Sequence, residues 1–94
     1  MLIYNLDYTP KAEDGIKKLK KEGNQSALKK LDILLKELEE HPRTGTGHPE
    51  RLKGFPERER WSRRITEKHR LVYDIEEEVV VVLIVSAYGH YADK

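Results

Sequence analysis

The fold is decided by residues 60–88, which read RWSRRITEKHRLVYDIEEEVVVVLIVSAY. Three runs rich in β-branched and aromatic residues lie within this stretch, at about 60–65, 69–75 and 79–88. Short polar segments separate the runs, and such connections predict antiparallel hairpins between neighbouring strands. The third run lacks polar alternation, so we expect it to be a central strand that is covered on both faces.

The residues before this stretch predict a further strand and a first helix. The apolar run at residues 2–6 is typical of a short strand. Thr9 is a good helix N-cap, Pro10 suits the first helical position, and Gly23 suits the left-handed residue after a helix. These signals predict a helix over about 10–22.

A second helix is predicted for residues 24–40, where leucines recur at helical spacing. The stripe is formed by Leu28, Leu31, Leu34, Leu35 and Leu38. Both helices need an apolar surface to pack on, and the sheet is the candidate. We therefore predict one α+β domain over residues 1–94, in the order β-α-α-β-β-β, with a single antiparallel sheet and a helical hairpin packed on one face.

Composition supports one small domain and excludes several kinds of site. A chain of 94 residues suits a single core, and its 37% of charged residues, against roughly 25% in an ordinary domain, implies that this core is thin. The chain has no cysteine, which excludes disulfides, thiol catalysis and cysteine-based metal sites. Its histidines lack metal-ligand spacing, so we expect no metal and no other cofactor.

Neither a membrane span nor a signal peptide is visible in the sequence. No apolar run approaches the ~18 residues that cross a bilayer, and the first residues lack a basic start and a long apolar segment. We therefore expect a cytoplasmic protein without a membrane partner.

Basic residues concentrate in the middle of the chain, although the formal net charge is only +1. Residues 41–72 contain nine Lys and Arg against four Glu. Guanidinium groups match phosphate oxygens in a bidentate manner, so an Arg-rich segment is typical of a phosphate-binding surface. The alternative is a solvated strand face without a partner.

Strand alternation places two of these arginines relative to the core. It puts Leu71 and Tyr73 towards the helices and sends Arg70 to the opposite face. By the same count, Arg64 lies on that opposite face, so we expect the two arginines to meet on an open sheet surface. The alternative for both is a cross-strand ion pair with Asp74 or a glutamate.

Groups suited to acid–base chemistry flank this surface in the sequence. Attack of an RNA 2′-hydroxyl on the adjacent phosphate needs a base, an acid and cations around the phosphorane. We assign the base to Glu50, in the loop that enters the sheet, and the acid to His90, because imidazole ionises near neutral pH. Arg70 is expected to stabilise charge, and Tyr91 to stack a base or orient the phosphate. The expected RNA-binding side chains are those of Lys53, Arg63 and Arg64.

Three segments resemble the YoeB (Txe/YoeB) toxins of the RelE/ParE superfamily. They are GTGHPERLK at 45–53, WSRRITEKHRLVY at 61–73 and YGHY at 88–91. The resemblance implies a metal-independent endoribonuclease that cuts mRNA in the ribosomal A site. It also implies contact with ribosomal RNA, a homodimer and a cognate antitoxin. The charged run within residues 54–60 departs from the family, which usually has a glycine shortly before the second motif.

The resemblance also carries residue roles over to this chain. Glu50 matches the proposed general base and His90 the general acid, with Tyr91 as the neighbouring aromatic residue. Arg64, Arg70 and Lys53 match the phosphate clamp.

Two other functions remain open from the sequence. A non-catalytic ParE-like toxin would bind a protein target such as DNA gyrase, and it would have no use for an acid–base pair. A general RNA-binding domain would bind RNA with a steep dependence on salt but would not cleave it.

Overall fold

Two helices pack on one face of a five-stranded sheet in the computed structural model, which describes residues 3–89. The helices are α1 (Pro10–Glu22) and α2 (Gln25–Glu40). The strands are β1 (Asn5–Tyr8), β2 (Glu50–Arg51), β3 (Glu59–Arg64), β4 (Arg70–Glu76) and β5 (Val81–Ser86). The strand order is β1-β5-β4-β3-β2. This architecture confirms the predicted α+β fold with a single open sheet.

The helix boundaries follow from local capping. The Thr9 side chain accepts a hydrogen bond from the backbone N–H of Ala12, and the Asn24 side chain accepts one from Ala27. Gly23 has φ 74°, the left-handed conformation that glycine adopts without steric cost. These caps confirm the predicted helix at 10–22 and the start of the second helix.

The sheet differs from the prediction in being mixed rather than wholly antiparallel. β1 pairs in parallel with β5, whereas the other three strand pairs are antiparallel. The hairpins were predictable because short connections force antiparallel neighbours. β1 pairs instead with a strand at the far end of the sequence, so no connection length fixes its direction. The strand also lies at Asn5–Tyr8 rather than at 2–6.

The core lies between the helices and the sheet. Leu31, Leu34 and Leu38 of α2 are buried in one apolar cluster that also contains Leu71 and Tyr73 of β4. Burial of these side chains confirms the predicted role of the leucine stripe.

β5 is an inner strand, as predicted, but it is not covered equally on both faces. Val82 and Ile84 are fully buried, whereas Val81, Leu83 and Val85 are only partly buried. The helices pack on the face that carries Val82 and Ile84.

Side-chain alternation therefore gives the sheet a helix face and an open face. The helix face carries Leu71, Tyr73 and the partly buried Trp61. The open face carries Glu50, Arg60, Ser62, Arg64, Arg70 and Asp74, as the strand register requires.

Candidate active site

The open face brings a carboxylate and two guanidinium groups to one end of the sheet. Glu50 of β2 lies directly opposite Ser62 of β3, and Arg64 of β3 lies directly opposite Arg70 of β4. Directly opposed residues of antiparallel strands have Cβ atoms about 5 Å apart. This register confirms the expectation that Arg64 and Arg70 meet on an open sheet surface.

Ser62 links the glutamate to one of the arginines. Its hydroxyl oxygen accepts a long hydrogen bond of 3.4 Å from Nη1 of Arg70. Ser62 is fully buried and Arg70 is half-buried, so the hydroxyl forms part of the floor beneath the guanidinium group. Glu50 and Arg70 therefore both adjoin Ser62 on the open face.

Two opposed arginines of the open face have side chains suited to binding an anion. Guanidinium groups form charge-assisted hydrogen bonds with phosphate oxygens. Arg64 is exposed to solvent and accessible to such a ligand.

Arg60, also on the open face, forms an ion pair within the protein. Arg60 donates from Nε and Nη2 to the two carboxylate oxygens of Asp74, at 2.6 and 2.9 Å. The ring of Phe55 lies 4.6 Å from the Arg60 guanidinium carbon. Asp74 is thus bound to Arg60, at the end of β4 away from Arg70.

The backbone on both sides of Glu50 is bonded to β3. The N–H of Arg64 donates to the carbonyl oxygen of Gly47 at 2.7 Å, and the N–H of Leu52 donates to that of Arg60 at 2.8 Å. Gly47 has φ 88°, a conformation that favours glycine. The Glu50 side chain itself is exposed, so a substrate can reach a carboxylate whose backbone is fixed.

Lys53 lies in the exposed loop that follows β2. It lines a shallow recess of about 460 Å³ with Arg51, Leu52, Gly54, Phe55 and Pro56. The role of Lys53 in RNA binding stays a prediction.

Arg63 does not lie where the prediction of an RNA contact requires it. It is fully buried on the helix face, opposite Leu71. Its guanidinium group donates to the Tyr73 hydroxyl at 3.0 Å and to a Glu37 carboxylate oxygen at 2.8 Å. It also donates to the backbone carbonyl oxygens of His41, Thr44 and Thr46. This burial contradicts the predicted substrate contact, since Arg63 instead holds the loop after α2 against β3.

The Arg63 network also acts on a titratable group. Burial raises the pKa of Glu37, but hydrogen bonds from Thr46 and Arg63 outweigh this effect and hold the pKa below its ordinary value. Glu37 is therefore a carboxylate at neutral pH and neutralises the buried guanidinium.

His90 and Tyr91 lie outside the described residues, and their predicted roles stay predictions. The last described residue, Gly89, accepts a hydrogen bond at its carbonyl oxygen from the N–H of Arg70, at 3.0 Å. The chain therefore continues towards residue 90 from a point beside Arg70.

Sequence reasoning missed two polar residues near this site, Ser62 and His69. Both are buried, at 0% and 6% exposure. Alternation from Leu71 puts His69 on the helix face, and a polar side chain in such a position needs a hydrogen-bonding partner. The need for such a partner was the signal in the sequence that could have identified His69.

Within residues 3–89, no group of three or more His, Asp or Glu side chains is arranged to hold a metal ion. None of the helices found there combines the length and the apolar character needed to cross a membrane.

Comparison with known proteins gives consistent matches. A family model described as the YoeB-like toxin of bacterial type II toxin–antitoxin systems matches residues 8–91. Toxin YoeB of Escherichia coli strain K12 is 40% identical, in a match that covers 74% of this chain and 80% of that toxin. The YoeB dimer from Staphylococcus aureus superposes with a TM-score of 0.76 at 31% identity, covering 94% of this chain and 98% of that one. The YoeB–YefM complex from the same organism superposes with a TM-score of 0.74 at 32% identity, covering 94% of this chain and 98% of that one.

Proposed function

Because this chain belongs to the YoeB-like toxin family of bacterial type II toxin–antitoxin systems, we propose that it is a ribosome-dependent endoribonuclease that cleaves mRNA in the ribosomal A site. The observation that carries the proposal is the open face, where Glu50 lies opposite Ser62 and Arg64 lies opposite Arg70 on neighbouring strands. A carboxylate supplies a base, and the cations supply the charge stabilisation that phosphodiester cleavage needs.

The proposed reaction is an internal transfer at one phosphodiester linkage. The Glu50 carboxylate takes the proton of the 2′-hydroxyl, whose oxygen then attacks the adjacent phosphorus. The bond from phosphorus to the 5′-oxygen breaks, and His90 donates a proton to that departing oxygen. The products are a 2′,3′-cyclic phosphate and a 5′-hydroxyl, so no water is consumed in this step.

The arginines act on the charge that develops at the phosphate. Arg64 and Arg70 bind its non-bridging oxygens, with Ser62 supporting the Arg70 guanidinium from below. Removing one preorganised donor to such an oxyanion typically lowers the rate by about 10²- to 10³-fold. Lys53 and Tyr91 complete the proposed contacts with the RNA.

The proposed protein partners are an antitoxin and a second copy of the chain. Support comes from the Staphylococcus aureus relatives, one solved as a YoeB dimer and one as a YoeB–YefM complex. The proposed compartment is the cytoplasm, where the ribosomes that carry the substrate are found.

The test maps the 5′ ends of transcripts in a translating extract, with and without the protein. The wild-type chain should create new 5′ ends within coding regions, and they should disappear when translation is blocked. Glu50→Gln should lower cleavage by about 10²- to 10⁴-fold, as expected for loss of a general base. Arg70→Ala should lower the rate more than it lowers ribosome binding.

The matched control is Glu13→Gln, which alters an exposed carboxylate on α1. It should cleave at the wild-type rate. The enzymatic proposal fails if Glu50→Gln cleaves as fast as this control. Growth arrest without new 5′ ends would support a ParE-like toxin that binds a protein, and salt-dependent RNA binding without cleavage would support a general RNA-binding domain.

A further inference from the structure

A cluster around the buried His69 joins the end of α1 to the start of β4 and to the last described residues. His69 is only 6% exposed, and its ring lies 4.3 Å from that of Tyr88, at an interplanar angle of 30°. Tyr88 donates its hydroxyl hydrogen to the carboxylate of Glu22, at the C-terminal end of α1. The cluster lies on the helix face, on the other side of the sheet from Glu50.

The His69 ring holds the backbone of Gly89. The N–H of Gly89 donates to Nδ1 of His69 at 2.9 Å. The carbonyl oxygen of the same glycine accepts from the N–H of Arg70 at 3.0 Å. Two consecutive residues, His69 and Arg70, therefore bind both polar backbone atoms of Gly89, one through a side chain and one through the main chain.

This arrangement determines the tautomer of the histidine. Because Nδ1 accepts a hydrogen bond, the neutral ring carries its hydrogen on Nε2. Nε2 is buried without a hydrogen-bond partner among the described residues, and it lies 3.4 Å from a carboxylate oxygen of Glu22. The hydrogen bond from Tyr88 holds the pKa of Glu22 below its ordinary value, so an anion faces Nε2. An anion there favours the tautomer that leaves Nδ1 free to accept from Gly89.

We propose that His69 is a positioning residue for cleavage: by holding Gly89 beside Arg70, it fixes the point from which the chain continues to His90. The inference rests on the proposed function, since it gives His69 a role only if His90 acts as the general acid. A misplacement of about 1 Å in a reacting group can lower a rate by about 10²-fold. The hydrogen bond between Gly89 and His69 thus affects proton transfer to the leaving group, although His69 lies on the other side of the sheet from Glu50.

A purely structural role for His69 makes a different prediction about substitutions. If the ring only fills space and stacks on Tyr88, His69→Phe should preserve function, because it keeps an aromatic ring there. If His69 acts through its acceptor, His69→Asn should preserve function instead, because the asparagine Oδ1 can take the place of Nδ1. His69→Gln moves its polar atom one carbon further and should behave like His69→Phe.

The experiment measures single-turnover cleavage on programmed ribosomes at increasing toxin concentration. We expect His69→Phe and His69→Gln to lower the maximal rate by about 10- to 100-fold, with the half-saturating concentration unchanged. His69→Asn should stay within about threefold of the wild-type rate, because the acceptor is kept. His41→Asn, at an exposed histidine after α2, is the control and should have no effect.

Hydrogen exchange of the Gly89 amide tests its hydrogen bond to His69 independently of cleavage. Loss of one hydrogen bond should speed this exchange by about three- to tenfold in His69→Phe and His69→Gln, but not in His69→Asn. Urea unfolding of each variant establishes that it is folded.

The proposal is overturned if His69→Phe cleaves at the wild-type rate, or if Gly89 exchange is the same in all four chains. It is also overturned if Gly89 exchange accelerates while the rate stays unchanged. If the wild-type chain does not cleave at all, the proposed function fails, and the exchange measurement still decides whether His69 holds Gly89.

Discussion

Replacing Arg63 by alanine is expected to lower the free energy of unfolding by about 3–5 kcal/mol, because it leaves a carboxylate without its buried partner. The Arg63 guanidinium is fully buried and is bonded to Glu37, to the Tyr73 hydroxyl and to carbonyl oxygens of the loop after α2. The Glu37 side chain is 26% exposed and can regain some hydration, so we expect the lower end of this range.

The expected loss is large for a domain of this size. Domains of this kind are stable by about 5–15 kcal/mol, so the substitution removes a major part of the total. A loss of 1 kcal/mol lowers the melting temperature of a 60–100-residue domain by about 4–8 °C. Arg63→Ala should therefore melt at least about 12 °C below the parent chain.

The neighbouring arginine supplies the matched control. Arg64 is exposed on the open face, and exposed substitutions usually change stability by less than about 0.5 kcal/mol. Arg64→Ala should therefore unfold like the parent chain, although it removes a proposed phosphate contact. The two variants differ by one position in the sequence and by which face of the sheet they alter.

The assay is urea unfolding followed by circular dichroism. Both substitutions are made in a Glu50→Gln chain, which we expect to be non-toxic and easier to express. If Arg63→Ala and Arg64→Ala unfold with equal free energies, the assignment of Arg63 to the core is refuted.

Three other expectations follow from the same contacts. The pKa of Glu37 lies below its ordinary 4.5, so the stabilisation from ionised Glu37 is present above about pH 4.5 and is lost as the pH falls through the folded-state pKa. In urea unfolding down to about pH 3, the unfolding free energy of Glu37→Gln should therefore depend less on pH than that of the wild type. Ser62→Ala removes the hydroxyl beneath Arg70, and it should lower single-turnover cleavage about tenfold with little change in unfolding free energy. Gly47→Ala should lower the unfolding free energy by about 1–3 kcal/mol, because Gly47 has φ 88° and a Cβ atom would lie 3.0 Å from the Arg64 carbonyl oxygen; an unchanged urea midpoint would contradict this.

Features that depend on near neighbours in the sequence were predictable. Thr9 and Asn24 each cap the helix that follows them, and short turns specified the antiparallel pairs of β3 with β4 and β4 with β5. Alternation also placed Arg64 and Arg70 on the open face. Caps, short turns and alternation depend on residues a few positions apart, so the structure predicted from them is little altered by contacts with distant parts of the chain.

Features that depend on distant partners were not predictable in the same way. The direction of β1 depends on β5, and the strand β2 spans only two residues in a segment rich in glycine and proline. Arg63 was assigned to RNA because of its charge, although alternation put it on the same face as Trp61. Its actual partners come from α2 and the loop after it, and nothing in the local pattern of β3 identifies them.

The parallel pair of β1 and β5 has a consequence for how the chain folds during synthesis. β1 is made before the other described strands, yet its partner β5 is made after all of them. Thr9 also donates its backbone N–H and its hydroxyl hydrogen to carbonyl oxygens of Ile84 and Val85. Contacts so distant in sequence form slowly, and a nascent chain that lacks them exposes apolar surface and an unpaired strand edge. β1 therefore cannot pair in the sheet until the two helices and the other described strands have all been translated.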